Sequence, residues 1–310
     1  MIVLYLTFGQ DPRVHQQAVF SALTLLQSGA GSQVQPNCVV YTDAPAFYTL
    51  LGDRVDLQVT GPDQLQEWRG PHDFFWRIKI KALEALQQQY PGQSLLYLDA
   101  DTFCFGQLGD MTDTLASGTH LMHAREGRLD ALPTSTEKKM YRQCRGKTFA
   151  GRTITGSDTM YNAGVVGLAA ERAAEAIALA LALCDALCAA GVTRRLVEQF
   201  ALSLALAVSG ELAAANGTIG HYWGNKAGWN ERIATFFLEH HLRGSSLEQQ
   251  LRTSREVDFA ALPIYLRSSS TERRLSRWVA STFAKGLYTY IPRPGEPTSD
   301  LSERLLARRP

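Results

Sequence analysis

Short apolar runs that stop at polar residues, separated by amphipathic helical stretches, constrain this chain more than any other feature. Ile2 to Thr7 leads through Phe8-Gly9-Gln10-Asp11-Pro12 into a helical pattern from Gln16 to Gln27, with Val19, Leu23 and Leu26 on one face. Cys38 to Tyr41 and Val55 to Val59 read as two further strands, closed by Thr42-Asp43-Ala44-Pro45 and Gly61-Pro62. An amphipathic helix over Trp76 to Gln89 delivers the chain to Leu95-Leu96-Tyr97-Leu98, a run too short for a helix and apolar enough to be buried on both faces. Strand alternating with helix predicts an α/β protein with a mainly parallel sheet and helices on both faces. Ligands in such sheets bind beyond the carboxyl ends of the strands, where the loops after Thr7, Tyr41 and Leu98 lie.

Two carboxylates, Asp99 and Asp101, stand where the third of those loops begins, and neither has a Lys or Arg within five residues. Ionised carboxylates beside an apolar core cost several kcal/mol each unless a positive charge compensates them. A divalent cation supplies that charge, and alternation along an extended chain would turn both side chains to one face. The plain alternative is that one Asp caps a turn while the other is solvated.

The pattern loosens from Asp110 to Ser157, where Lys138, Lys139, Arg142, Arg145, Lys147 and Arg152 accumulate; the segment reads as a lid, an acceptor-facing insertion or a solvated surface. Order returns at Met160 to Leu168, and Gly164 inside that strand marks a bulge or a close backbone approach. A helix over Ala170 to Ala190 follows. The next, Arg194 to Val208, is apolar nearly all round after Glu198-Gln199, which places two polar residues at the mouth of a buried helix. His221-Tyr222-Trp223-Gly224-Asn225-Lys226 then gathers an imidazole to complete a carboxylate-held cation and an ammonium to neutralise phosphate oxygens.

Taken in order, these segments resemble the retaining glycosyltransferases of the GT-A fold, family 8 in type, exemplified by glycogenin and bacterial lipopolysaccharide galactosyltransferases. Leu98-Asp99-Ala100-Asp101 is similar to the family's metal-binding Asp-x-Asp, and Phe75-Trp76-Arg77-Ile78-Lys79 to its Arg-containing helix. Tyr161-Asn162-Ala163-Gly164-Val165 and His221-Tyr222-Trp223-Gly224 are similar to two later motifs, and Glu198-Gln199 stands where many members carry Asp-Gln. The resemblance implies a Rossmann-like central sheet with a C-terminal helical extension. It implies Mn²⁺ or Mg²⁺ held by Asp99, Asp101 and His221 on the diphosphate of a UDP-sugar, with Arg77 and Lys226 on phosphate or sugar oxygens. Asn162, Glu198 and Gln199 are the implied residues near the transferred sugar. Thr7, Phe8 and Gly9 are expected near the base by position, and Gly164 and Gly224 at close approaches to the donor. The expected partners are a nucleotide sugar and a saccharide or glycolipid acceptor.

A net charge of +1 argues against a dedicated nucleic-acid binder, which carries a marked basic excess. Five cysteines, without a Cys-x-x-Cys pair, favour a reducing, cytoplasmic setting. Met1 to Leu6, which shows no basic leader and soon meets Asp11 and Arg13, is expected to be a strand rather than a signal peptide, and the Ala/Leu run from Glu175 to Asp185 falls short of the roughly 20 residues of a membrane span. The expected division is a catalytic domain over 1–240 and an extension over 241–310. Within the latter, residues 267–293 interleave Arg and Lys with aromatic residues and are candidates for packing or for peripheral contact with an anionic membrane at the cytoplasmic face. Two rival readings are a haloacid-dehalogenase-type Mg²⁺ phosphatase and a non-catalytic binder of nucleotide-sugar fold. The first wants Thr or Val two residues past the second Asp, where Phe103 stands.

Overall fold

The computed structural model describes residues 1–29 and 36–266, together with Leu275 and Trp278. Two units divide the chain, Met1–Tyr265 and Leu266–Pro310; the fold described below is that of the first. Apart from Leu275 and Trp278, the basic and aromatic segment 267–293 lies outside the described residues.

The order of elements is β1 (Ile2–Thr7), α1 (Pro12–Gly29), β2 (Asn37–Thr42), β3 (Val55–Val59), α2 (Pro62–Arg69), α3 (Arg77–Gln89) and β4 (Leu95–Leu98). The middle of the chain gives β5 (Thr102–Cys104), α4 (Leu108–Ala116), β6 (His120–Arg128), α5 (Ser135–Cys144), the short β7 (Thr148–Phe149) and β8 (Arg152–Thr153), and β9 (Thr159–Leu168). Then come α6 (Ala173–Ala189), α7 (Val197–Ser209), β10 (Leu212–Ala214), β11 (Ile219–His221), α8 (Lys226–Leu242) and α9 (Leu247–Ser254). Residue 240 thus falls inside α8, and α9 packs on α1 within the first unit.

Seven strands form the central sheet in the order β10-β6-β9-β4-β1-β2-β3. β1 is paired in parallel with β2 and β4, β2 with β3, and β10 with β6, while β9 runs antiparallel between β4 and β6. This is the α/β class expected from the alternation, with helices on both faces. Period-two alternation assigns the faces: Ile2, Leu4, Leu95 and Tyr97 join one core with α3, α6 and α7, and Val3, Tyr5, Leu96 and Leu98 join the other with α1 and α8. Strands buried on both sides read as continuous apolar runs, which is why β1 and β4 were conspicuous.

The loosely patterned stretch 110–157 holds α4, β6, α5, β7 and β8. β6 pairs with β9 through two register shifts, between Met122 and Ala124 and between Arg125 and Gly127. The first shift sets the single residue His123 of β6 against Ala163, Gly164 and Val165 of β9, so that β9 bulges at Gly164; the second leaves Glu126 of β6 without a counterpart, and bulges of this kind re-aim side chains while erasing the alternation by which a strand is recognised. Among the described residues no helix is long and apolar enough to cross a membrane, and all five cysteines are buried free thiols.

Candidate active site

β4 ends at Leu98, and Asp99-Ala100-Asp101 turns into β5, with the Thr102 hydroxyl donating to the Asp99 carbonyl at 2.8 Å. Alternation along a strand is therefore not what brings the two aspartates together; the turn is. β5 pairs antiparallel with β11, which sets His221 opposite Thr102 and spans the long sequence separation from the aspartates. His221 Nε2 lies 3.4 Å from Asp101 Oδ1 and 3.8 Å from Asp99 Oδ2. One ligand atom from each of Asp99, Asp101 and His221 falls within 4.8 Å of the others.

The imidazole is oriented from behind. His221 Nδ1 lies 2.9 Å from Asn162 Oδ1, the same oxygen that accepts the Gly164 N–H at 3.0 Å. An amide oxygen only accepts, so Nδ1 carries a proton and Nε2 is the nitrogen turned toward the two carboxylates. A lone pair facing carboxylates is favourable only with a cation or a proton between them, and a histidine whose second nitrogen is hydrogen-bonded is the usual form of a metal-ligating imidazole. The donor set therefore fits a hard divalent cation such as Mn²⁺ or Mg²⁺. Gly164 is required here: a Cβ on it would stand 2.2 Å from His221 Nδ1. The close approach expected at this glycine is thus to the imidazole.

Asp101 and His221 are 5% and 4% exposed. Burial by itself raises the Asp101 carboxyl, but hydrogen bonding and charge from His221, with the charge of Lys226, outweigh it and hold that carboxyl below its ordinary value. Lys226, the first residue of α8, reaches Asp101 Oδ2 at 2.8 Å.

A second cation, Lys79, compensates Asp99. From the first turn of α3 its Nζ lies 3.3 Å from Asp99 Oδ1, 2.9 Å from Glu198 Oε1 and 3.0 Å from the Ala163 carbonyl, 4.6 Å above the Tyr97 ring. Burial depresses a lysine, yet Asp99 and Glu198 reverse the effect and push Lys79 up to about 12. Glu198 is raised above its ordinary value by burial, partly offset by Lys79. The Tyr97 hydroxyl donates to Asp99 Oδ1 at 2.5 Å.

Arg77 does not join this group. Its guanidinium is bidentate to Asp185 on α6, at 2.7 and 3.0 Å, and donates to the Trp68 carbonyl at 3.0 Å. Residues two apart on a helix point to nearly opposite sides, so a helix that sends Lys79 into the site turns Arg77 away. Thr7 ends β1, the parallel neighbour of β4, and Phe8 and Gly9 follow it, so all three lie at the same end of the sheet as the aspartates. The Thr7 hydroxyl bonds Tyr48, and the Gly9 N–H is taken by Asp43 at 2.9 Å. Gly224 approaches Tyr265, whose ring a Cβ would meet at 2.0 Å. Gln199 donates to Glu126 Oε2 at 2.8 Å, and Asn162 Nδ2 to Glu126 Oε1 at 3.3 Å.

Lys79, Glu126 and His123 were missed from the sequence. Lys79 lies inside the Phe75–Lys79 motif beside Arg77; His123 stands opposite the bulge of β9 and Glu126 at the bulge of β6, and neither carries a signal in the sequence. His123 packs edge-on against His221, with ring centroids 5.2 Å apart, and burial followed by the charge of His221 lowers it to about 4. A cleft of about 420 Å³ opens beside these groups, with His123, Glu126, Asn162 and His221 on its lining together with Phe105, Trp223 and Ile264. Two carboxylates, Asp99 and Asp101, thus face one imidazole at the carboxyl end of β4, each paired with an ammonium group, an arrangement able to hold a divalent cation and the anion it recruits.

No protein-family model matches the sequence, and no curated protein matches it. Among solved structures, the chain aligns with the galactosyltransferase LgtC in complex with donor and acceptor sugar analogs, at 13% identity and a TM-score of 0.39, over 56% of this chain and 59% of that one. This is less than two thirds of that protein's length. It also aligns with mouse xyloside xylosyltransferase 1, apo form, at 13% identity and 0.45, over 69% of this chain and 85% of that one. An active-site variant of LgtC gives 14% identity and 0.44, over 69% and 72%. Likenesses of this strength assign no activity to the chain.

Proposed function

We propose that the chain is a metal-dependent glycosyltransferase of GT-A type that moves a hexose from a UDP-sugar to a saccharide or lipid-linked acceptor with retention. The observation that carries the proposal is the convergence of Asp99, Asp101 and His221 within 4.8 Å, flanked by the buried Lys79 and by Lys226, at the ligand-binding end of the sheet. The four motifs that resemble retaining transferases support it, since all four meet at this point, the Phe75–Lys79 motif through Lys79 rather than Arg77.

Departure of a nucleoside diphosphate from an anomeric carbon builds negative charge on the leaving phosphate. A divalent ion held by Asp99, Asp101 and His221 would supply the Lewis acidity that stabilises that charge. Lys226, half exposed and paired among the described residues with Asp101, can swing onto a phosphate oxygen as a point charge. Lys79 is fixed by three oxygens and holds Asp99 and Glu198 in place. Asn162 keeps the His221 proton on Nδ1. Glu198 offers negative charge near the transferred sugar, and a front-face route in which the leaving phosphate assists the acceptor needs no protein nucleophile.

The test is turnover of a panel of nucleotide sugars with and without Mn²⁺. Metal-dependent release of UDP from one of the UDP-sugars is the expected outcome. Hydrolysis of phosphate esters, with no UDP-sugar bound or turned over, would replace this reading with a phosphatase.

A further inference from the structure

The cleft beside His221 has two kinds of wall. Its polar groups are joined to one another: Asn162 contacts both His221 and Glu126, and His123 lies edge-on to His221. Facing solvent along the same cleft are Phe105, Trp223 and Ile264, which are 41%, 50% and 43% exposed. Large apolar side chains this exposed, grouped along one concave surface, mark a binding site rather than chance scatter.

Trp223 is also held in place. Its ring packs on Tyr265 at 5.0 Å, and Tyr265 bridges the backbone of Gly224, the residue that must lack a Cβ for the two segments to meet. Phe105 is fixed through its carbonyl, which accepts from Arg255 at 2.6 Å. The platform therefore exists before any ligand arrives, which lowers the ordering cost of binding.

We infer that the acceptor for this site is amphipathic: a glycoside or alcohol whose accepting hydroxyl reaches Glu126 and Asn162 while an adjoining alkyl or aryl group lies on Trp223, Phe105 and Ile264. A sugar ring covers such a wall with its C–H face alone, whereas an alkyl group is apolar all round and removes more surface from water, tightening binding roughly fourfold per methylene buried. Glu126 accepts from two amides and has lone pairs left to accept from a hydroxyl. The inference rests on the transferase reading for the fate of the ligand, but its test needs neither donor nor turnover.

Calorimetric titration of the full chain with n-octyl and methyl β-D-glucopyranoside, below the micelle concentration of the former, measures it directly. The octyl compound should bind at least tenfold tighter than the methyl one. Trp223→Ala and Phe105→Ala should each weaken octyl binding at least fivefold, with Mn²⁺ binding and the methyl glycoside unaffected. Equal affinity for the two glycosides overturns the inference, as does undiminished octyl binding by Trp223→Ala. Octyl binding that depends on Trp223, in a protein that turns over no nucleotide sugar, would uphold the amphipathic site while removing the transferase reading.

Discussion

Replacing Lys79 by Met removes one charge and little volume from the interior, and its consequence can be worked out from the contacts. Asp99 Oδ1 and Glu198 Oε1 lose a cation at 3.3 and 2.9 Å. Breaking a buried pair by removing one partner typically costs about 3–5 kcal/mol. Asp99 keeps the Tyr97 hydroxyl and is a quarter exposed, so most of the penalty falls on Glu198. Glu198 can escape by taking up a proton. From its ordinary value of 4.5 that step costs at most about 3.4 kcal/mol at pH 7 and about 0.7 kcal/mol at pH 5. Its folded pKa lies above the unfolded one, so its contribution favours the fold at low pH and is lost as pH rises through the folded value; deleting Lys79 enlarges that loss. The variant should therefore be about 3 kcal/mol less stable than wild type at pH 7 and about 1 kcal/mol less stable at pH 5. Urea unfolding of both proteins at each pH, with unchanged slopes, gives the difference. Adding Glu198→Gln to Lys79→Met should recover about 2 kcal/mol at pH 7. A deficit below 1 kcal/mol at pH 7, or one equal at both pH values, would refute the charge-compensation reasoning.

Gly164→Ala drives a methyl into His221 Nδ1, so the imidazole must leave its place; Mn²⁺ affinity, followed by calorimetry, should fall at least tenfold with the circular dichroism unchanged, and unaltered affinity would remove His221 from the ligand set. Arg77→Met breaks the bidentate pair with Asp185 and should lower the unfolding midpoint while leaving Mn²⁺ affinity within twofold of wild type; loss of metal or UDP binding would return Arg77 to the site. Raising pH removes the stabilisation held by Lys79: present in full below pH 10.5, worth about 2 kcal/mol for a rise to about 12, and lost as pH passes through about 12. Lys79→Met should lack that alkaline step, which thermal unfolding between pH 9 and pH 12 would reveal.

The residues legible in the sequence were those whose surroundings left a local trace. β1 and β4 are buried on both faces and stand out as apolar runs, and Asp99 and Asp101 stood out as charges without a nearby partner. Their partners were distant: Lys79 and Lys226 supply in three dimensions what no neighbour in sequence does. Which cation of the Phe75–Lys79 motif enters the site depended on the rotation of α3 about its axis, fixed by packing against α6, and the pattern of residue types carried no record of it. Glu126 and His123 are hidden because the pairing of β6 with β9 is broken twice, by a bulge of β9 opposite His123 and by one of β6 at Glu126, and both side chains line the cleft. Residues 241–265 gave no sign of joining the first unit, since α9 and the Tyr265 bridge to Gly224 are long-range contacts.

The central claim is that Asp99, Asp101 and His221 together hold a divalent cation on a nucleoside diphosphate. Mn²⁺ titration of the full chain by electron paramagnetic resonance, with and without UDP, addresses it most directly. Wild type should bind about one ion, more tightly when UDP is present, and Asp101→Asn should lose at least tenfold in affinity and all of the UDP effect while unfolding cooperatively as wild type does. Mn²⁺ binding by Asp101→Asn equal to that of wild type, or binding indifferent to UDP in both, would contradict it.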